Sequence, residues 1–534
     1  MSSKKLVDYI IVGAGAAGSA LAQRLGANPH NRVLVIEAGG TDEHPHHRMP
    51  APYAQEPTRP RYRDQHAPQP LAVRRLGHRR MGGLIAGGST AASGTGRGGE
   101  ADHDMWETPG VTGWNRARFL GAYTAMERHA ARATGPHDDR GRQPAEVVSP
   151  PDAATELWIR ALARWGIDTE EDVDEGPEVT ADLPRSMPTG AWTSTFRTLA
   201  RRRARRRNVR VRSHCTARRI LFDGTTAIGV EAETPRGTTQ FTARREIILC
   251  AGAVGSSLLL ERSGVGDPEV LTTAGVHLVA ANPAVGSNLR QRRGAAFTLR
   301  LDGVPDRRDP KPVTPAARLK AKAGKVLRRA EAQRGGDTSV LAVLDSQGEA
   351  SGPDMELLFT STPVADRDGD GAGGTGRPEE ATVTFCPQSS TSVGSLHITG
   401  PTLQDPPRLV PGYLSTDQDK ERTVAAFTRA REILATEPFA SVMTETFPGT
   451  DVVDPEAVLR YVLDHGVTVD AVGTCALGTD GVVDDELRVR GTHRLRVADA
   501  SVMPALTTGD TEATSMAVGW IAGDILRNAN TRSR

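Results

Sequence analysis

Three glycines and one acid carry the first chemistry legible in this chain. Gly13, Gly15 and Gly18 stand in the spacing GxGxxG, and Glu37 follows 19 residues beyond Gly18. In such a pattern the first glycine permits a tight turn, the second leaves the backbone open to a pyrophosphate, and the third lets the next helix pack close against its strand. An acid at this distance accepts hydrogen bonds from an adenosine ribose, which favours FAD or NAD over NADP. The surrounding residues supply the elements that must position them. Tyr9, Ile10, Ile11 and Val12 are apolar on both faces, as in a strand buried within a parallel sheet. The helix AAGSALAQRL opens directly after the turn, so that the free N–H groups around Ala16 and Ala17 face the phosphates. A second apolar strand, Arg32 to Ile36, ends in Glu37 and Ala38. Residues 8–40 therefore read as the strand, glycine turn, helix and strand of a dinucleotide-binding unit.

At 534 residues the chain is long enough for two or more domains sharing a large core. Lys+Arg 66 against Asp+Glu 65 gives a net charge of +1, so no global field steers it to nucleic acid or a membrane surface. Cys215, Cys250, Cys386 and Cys475 lie far apart without a CxxC pair, which favours buried free thiols in a reducing cytoplasm over disulfides or a metal site. No apolar signal-peptide core precedes the glycine turn and the apolar runs are strand-sized, so neither a signal peptide nor a membrane span is expected. Abundant arginine, alanine and glycine suggest a GC-rich bacterial gene.

Along the chain, Thr41 to Gln69 reads as a polar loop or lid, and the basic residues Arg74, Arg75, His78, Arg79 and Arg80 as a solvated face. Ala154 to Trp165 has the pattern of an amphipathic helix, and Arg201 to Arg207 that of a solvated helix face. From Val209 alternating residues with turns at Asp223-Gly224 and Pro235-Arg236-Gly237 predict a β-meander, which ends in the buried strand Ile247 to Cys250 and returns to the dinucleotide at Ala251-Gly252-Ala253. The glycine-rich tract Asp366 to Gly376 reads as a surface loop, and residues 416–435 as an amphipathic helix.

Residues 83–107, GLIAGGSTAASGTGRGGEADHDMWE, are dense in side chains small enough for backbone to pass close to a flat ligand. With them the chain resembles the glucose-methanol-choline (GMC) oxidoreductases. Gly87-Gly88-Ser89-Thr90-Ala91-Ala92-Ser93-Gly94 is similar to that family's loop along the isoalloxazine ring, followed by Arg97-Gly98 and Asp102 to Trp106. Ser93 stands where the family usually has Asn, and the loop is about two residues short. Gly252 to Gly266 resembles the family's second signature, and Val285 to Leu289 the VGxNL that follows. Gln291 and Arg292 then take the place of the usual Asp-His. Pro387 to Gly400 and Pro406 to Ser415 resemble its sheet strands, and residues 472–526 its closing segment.

The resemblance implies an FAD-binding Rossmann-like α/β domain of the glutathione-reductase type with a second, antiparallel-sheet substrate domain. The segments would be 1–150 and 201–295 for FAD, 151–200 and 296–465 for substrate, and 466–534 for the active site. It implies FAD held non-covalently, since the loop has no histidine, with Gly13, Gly15, Ala16, Ala17, Gly18, Glu37, Ala38, Gly87, Gly88, Ser89, Ser93, Gly94, Ala217, Ala251, Gly252, Asp499, Ala500 and Thr511 as contacts. The helix after Asp510 would aim its N–H groups at the flavin edge where reduction builds negative charge.

The family's catalytic histidine falls at Asp470 and its second catalytic position at Asp510, while His465 and His493 read as surface residues. An ordinary Asp, with a pKa of about 3.9, is a weak base for an alcohol unless burial or a like charge raises it. Two carboxylates sharing a proton would achieve that, at the expense of opposing charge on the reduced flavin. The leading expectation is oxidation of an alcohol or related C–H donor by hydride transfer to flavin N5. A dehydrogenase with a separate electron acceptor is favoured over an oxidase, because the imidazolium that would help O2 accept an electron is missing. The alternatives are a lyase or isomerase using the aspartates for acid–base chemistry, and a catalytically degenerate flavin-binding protein.

Overall fold

The computed structural model describes residues 6–40, 104–107, 110–134, 153–169, 180–182, 207–304, 339–347, 354–361, 380–508 and 511–532. In chain order the described strands are β1 (Val7–Val12), β2 (Val33–Ile36), β3 (Asp168–Thr169), β4 (Thr180–Asp182), β5 (Val209–Arg212), β6 (Thr216–Asp223), β7 (Thr226–Thr234), β8 (Gly237–Leu249), β9 (Val265–Gly266), β10 (Ala280–Ala281), β11 (Arg290–Leu301), β12 (Ser339–Leu344), β13 (Met355–Thr360), β14 (Glu380–Pro387), β15 (Ser395–His397), β16 (Arg408–Val410), β17 (Met443–Phe447), β18 (Val467–Val472) and β19 (Leu495–Val497). The helices are α1 (Ala16–Gly26), α2 (Arg116–Thr134), α3 (Ala153–Trp165), α4 (Gly252–Arg262), α5 (Pro268–Thr273), α6 (Asp417–Leu434), α7 (Pro455–His465) and α8 (Thr511–Arg532).

Both sides of β1 are taken by parallel partners, β2 and β8, which is why its residues are apolar on both faces. The first sheet runs β5-β2-β1-β8-β7-β6, with β19 added parallel to β8. Strand β8 serves two purposes. Its first half closes the antiparallel meander with β7, while Ile247, Ile248 and Leu249 lie between β1 and β19. Helix α8 crosses this layer against α1. A Cβ on Gly519 would fall 2.1 Å from the Ala17 carbonyl, so the two backbones meet where no larger side chain fits. Arg24 stacks on Trp520 and pairs with Asp524 at the same contact.

The second sheet runs β17-β11-β14-β13-β12-β4-β3, with β18 also pairing β11. Its core is aromatic: Trp158 of α3 stacks on Phe359, and Phe297, Phe385 and Phe427 pack between β11, β14 and α6. Helices α3 and α6 form where the amphipathic patterns predict, α6 with Thr416 capping the Asp419 N–H. The segments 387–400 and 406–415 contribute strands, as expected: beyond Pro387, the last residue of β14, these are β15 and β16, which pair with each other in a small sheet separate from the large one. Asp419 explains why. Its carboxylate takes the Ser390 hydroxyl and the Thr391 and Ser392 N–H groups, holding the chain after β14 in a loop.

Strand β11 joins the halves of the molecule. Its first residues pair with β18 and its last with β14 and β17. After β18 the chain zips against the segment following β19, where the Cys475 and Leu477 N–H groups bond the Ser501 and Val502 carbonyls. The end of β18 and the start of α8 are thereby held side by side. All four cysteines are buried and free, as the sequence predicts. No helix among the described residues is long and apolar enough to cross a membrane.

Candidate active site and cofactor cradle

The glycine turn has the geometry its spacing predicts. Gly13 has φ +104°, and a Cβ there would lie 2.2 Å from the Cys250 carbonyl. A Cβ on Gly18 would lie 2.1 Å from the Gly13 carbonyl, so these two glycines are demanded by packing. Gly15 differs, because nothing lies within 4 Å of its Cβ position. Helix α1 also has no side-chain cap and no acid in its first turn, which leaves its N–H groups at Ala16 and Ala17 to an outside anion. The turn therefore fits a pyrophosphate on an observation independent of the motif.

Glu37 is buried and accepts the Ala14 and Gly39 N–H groups at 2.8 Å each, beside Ala38. Burial pushes its carboxyl up, against the lowering effect of those two bonds. The Cys215 N–H bonds the Glu37 carbonyl, which brings the start of β6, with Ala217, to the ribose end of the cradle. At the other end the Ala251 side chain gives α4 no cap, and a Cβ on Gly252 would meet open space.

Asp499 turns out to be a tie. Its Oδ2 takes the Gly252 N–H and the Ser256 hydroxyl, and its Oδ1 the Ser501 N–H and hydroxyl. Burial pushes its carboxyl up, opposed by those four bonds. It thus fixes Ala251 and Gly252 against Ala500. Gly87, Gly88, Ser89, Ser93 and Gly94 lie outside the described residues, as do 41–69, the basic tract 74–80, 201–206, 318–334 and 366–376.

The two catalytic candidates fare differently. Asp510 lies outside the described residues. Asp470 stands at the end of β18 in an unusual conformation, with φ +53°. Here the register slips: Arg290 faces Val472 while Arg292 faces Val469, so Asp470 and Ala471 together oppose one residue of β11. That is a β-bulge, a device that re-aims a side chain, and Asp is among the few residues that tolerate left-handed backbone. Its Oδ1 accepts the hydroxyl of Thr511, the first residue of α8, at 2.7 Å. Its Oδ2 stands 3.3 Å from Arg292 Nε. Thr511 is thus joined to the candidate base.

The neighbours of Asp470 add to the expected picture. Among the described residues Asp470 faces the guanidinium of Arg292, which also meets the carboxylate of Glu356. Arg292 is 2 % exposed in its side chain; Nη2 donates to the Thr507 carbonyl, and Nη1 is 3.7 Å from Glu356 on β13. Glu356 keeps a fifth of its side-chain surface exposed. Burial pushes its carboxyl up, Arg292 draws it down, and Asp470 adds to the rise. Gln388, wholly buried, approaches Glu356 without reaching hydrogen-bond geometry with either amide atom. Burial likewise pushes up the neighbouring Cys386 thiol.

Arg292 is visible in the sequence only as a departure from the family pattern, and Glu356 lies in no motif that the sequence offers. No local signal reports either role, because strand order alone brings β13 to β11. His465 and His493 are exposed, as predicted.

An uncapped glycine-turn helix beneath a parallel sheet, joined through β11 to an antiparallel sheet with a polar cluster at the seam, defines a dinucleotide-binding α/β protein with a second domain-sized layer. Family models described as GMC oxidoreductase match residues 7–293 and 390–519, and the chain belongs to that family. An uncharacterized GMC-type oxidoreductase of Mycobacterium bovis is 30% identical over 555 residues, covering 98% of this chain and 99% of the relative. The oxygen-dependent choline dehydrogenase of Escherichia coli is 31% identical over 560 residues, covering 99% and 96%. Among solved structures, pyridoxine 4-oxidase from Mesorbium loti has a TM-score of 0.81 at 27% identity, covering 98% of this chain and 99% of that one. Formate oxidase has a TM-score of 0.82 at 20% identity with both chains fully covered, a likeness of fold. Members of the GMC family bind FAD, and FAD is the cofactor of this chain.

Proposed function

We propose that this chain oxidises the C–OH group of a small-molecule alcohol, or a related C–H donor, with Asp470 taking the hydroxyl proton and Asp510 as its partner. Bound FAD, held non-covalently, supplies the acceptor for the hydride. The O–H proton passes to an Asp470 oxygen, the C–H bond gives up its electron pair with the hydride, and a C=O remains. Thr511 fixes Oδ1 and the bulge fixes the backbone, so the carboxylate is presented in one orientation at the start of α8. The observation that carries the reading is the left-handed bulge at Asp470, a costly conformation placed where the family keeps its base.

The test is to mix the yellow protein anaerobically with a panel of alcohols. Bleaching of the flavin by one of them supports the reading. Turnover without bleaching would instead establish acid–base chemistry on the same fold, and neither outcome with any alcohol would leave a flavin-binding protein without this activity. The preference for a separate electron acceptor over O2 rests on the missing imidazolium.

A further inference from the structure

We propose that Arg292 is a positioning residue that also supplies this site with a permanent cation, replacing the charge that an imidazolium would carry. The inference rests on the reading of the start of α8 as the flavin-facing end. Three contacts carry it. The guanidinium meets Asp470 on β18 at 3.3 Å, Glu356 on β13 at 3.7 Å, and the Thr507 carbonyl, which lies just ahead of α8. Asp470 in turn holds Thr511, so through that carboxylate Arg292 is tied to the first residue of the helix. Among the described residues Cys386 on β14 is a further titratable group at the cluster, with Arg293 beside it.

Arg292 is buried, planar and always charged, so its field is fixed in direction and does not titrate. Two carboxylates alone would place negative charge where reduction of the flavin adds more. With Arg292 between them one of the two negative charges is neutralised, so that Asp470 can serve as base with less opposition to flavin reduction.

The experiment measures the reduction potential of the bound flavin against a reference dye, in the FAD-loaded full chain, without substrate. Arg292→Gln is expected to make the flavin at least tenfold harder to reduce at equilibrium, a shift of about 30 mV for a two-electron couple. Arg292→Lys is expected to stay within threefold of the parent. Asp470→Asn, which removes one of the two carboxylates facing the guanidinium, should move the equilibrium at least tenfold the other way. A merely structural role for Arg292 would lower stability and leave the potential in place, so a shift below threefold in Arg292→Gln overturns the proposal. Should that variant shed its flavin, Asp470→Asn decides: a tenfold rise supports the proposal and a shift below threefold overturns it. Because no substrate is present, the result is independent of whether Asp470 takes a proton during turnover.

Discussion

Replacing Asp470 by Asn separates the chemical role of this residue from its structural one. Asn tolerates the φ of +53° as Asp does, and it keeps an oxygen for the Thr511 hydroxyl, so both the bulge and the 2.7 Å bond survive. What disappears is the charge facing Arg292. Breaking a buried ion pair outright costs about 3–5 kcal/mol. Here the guanidinium keeps the Thr507 carbonyl and Glu356, and it faces an amide oxygen, so we expect a loss nearer 1–3 kcal/mol, on the scale of one charged hydrogen bond. Asp470→Ala should lose about 1–2 kcal/mol more, because alanine pays the left-handed penalty in full. The effect on rate is of another size. Removing a general base slows proton transfer by about 10²–10⁴, equivalent to roughly 2.7–5.5 kcal/mol of barrier. The assay is anaerobic stopped-flow reduction of the flavin by the best alcohol found, beside urea unfolding of the same preparations. The Asn variant should fold, retain FAD and reduce at least a hundredfold more slowly, with a rate that climbs as hydroxide replaces the missing base. A reduction rate within tenfold of the parent at every pH, with flavin retained, would refute the base assignment.

Two further predictions test the cradle and the loop beside the site. Gly18→Ala, whose Cβ would lie 2.1 Å from the Gly13 carbonyl, should unfold or disorder the first sheet, whereas Gly15→Ala, with nothing within 4 Å, should fold normally and bind FAD poorly. Thermal unfolding and flavin content read the two effects separately, and equal damage to folding by both variants would contradict the assignment of Gly15 to the cofactor. Asp419 is raised by burial, but its bonds from Ser392, Thr391 and Ser390 outweigh this and hold its carboxyl below the usual range. Its contribution to stability is therefore present above about pH 4, the ordinary carboxylate value, and lost as pH falls through the lower folded value. Asp419→Asn should be less stable than the parent by about 1–3 kcal/mol at pH 7, and the difference should shrink on acidification. Urea titrations at pH 7, 4 and 3 check this, and a gap that does not change with pH would sink it.

How much could be read without coordinates depended on the range of each constraint. The dinucleotide turn was legible, because Gly13, Gly15, Gly18 and Glu37 lie within one strand-helix-strand unit, where spacing along the chain is spacing in space; the close approach of Cys250 to Gly13 comes from outside that unit. The β-meander and the helices α3 and α6 were legible for the same reason: periodicity and turn residues act locally. Asp470 was found through its place in a family pattern, which said nothing of its neighbours on β11 and β13. Arg292 and Glu356 sit on strands far apart in sequence, and only the order β11-β14-β13 brings them to one guanidinium-centred cluster. The bulge that turns Asp470 toward them is a register slip between β11 and β18, a property of a pair of strands and of neither alone. The sequence by itself determined the cofactor cradle and the identity of the candidate base. Only the tertiary structure decided the charge that base faces, since electrostatic partners are set by distance through space, on which residue order places almost no constraint once strands pair across the sheet.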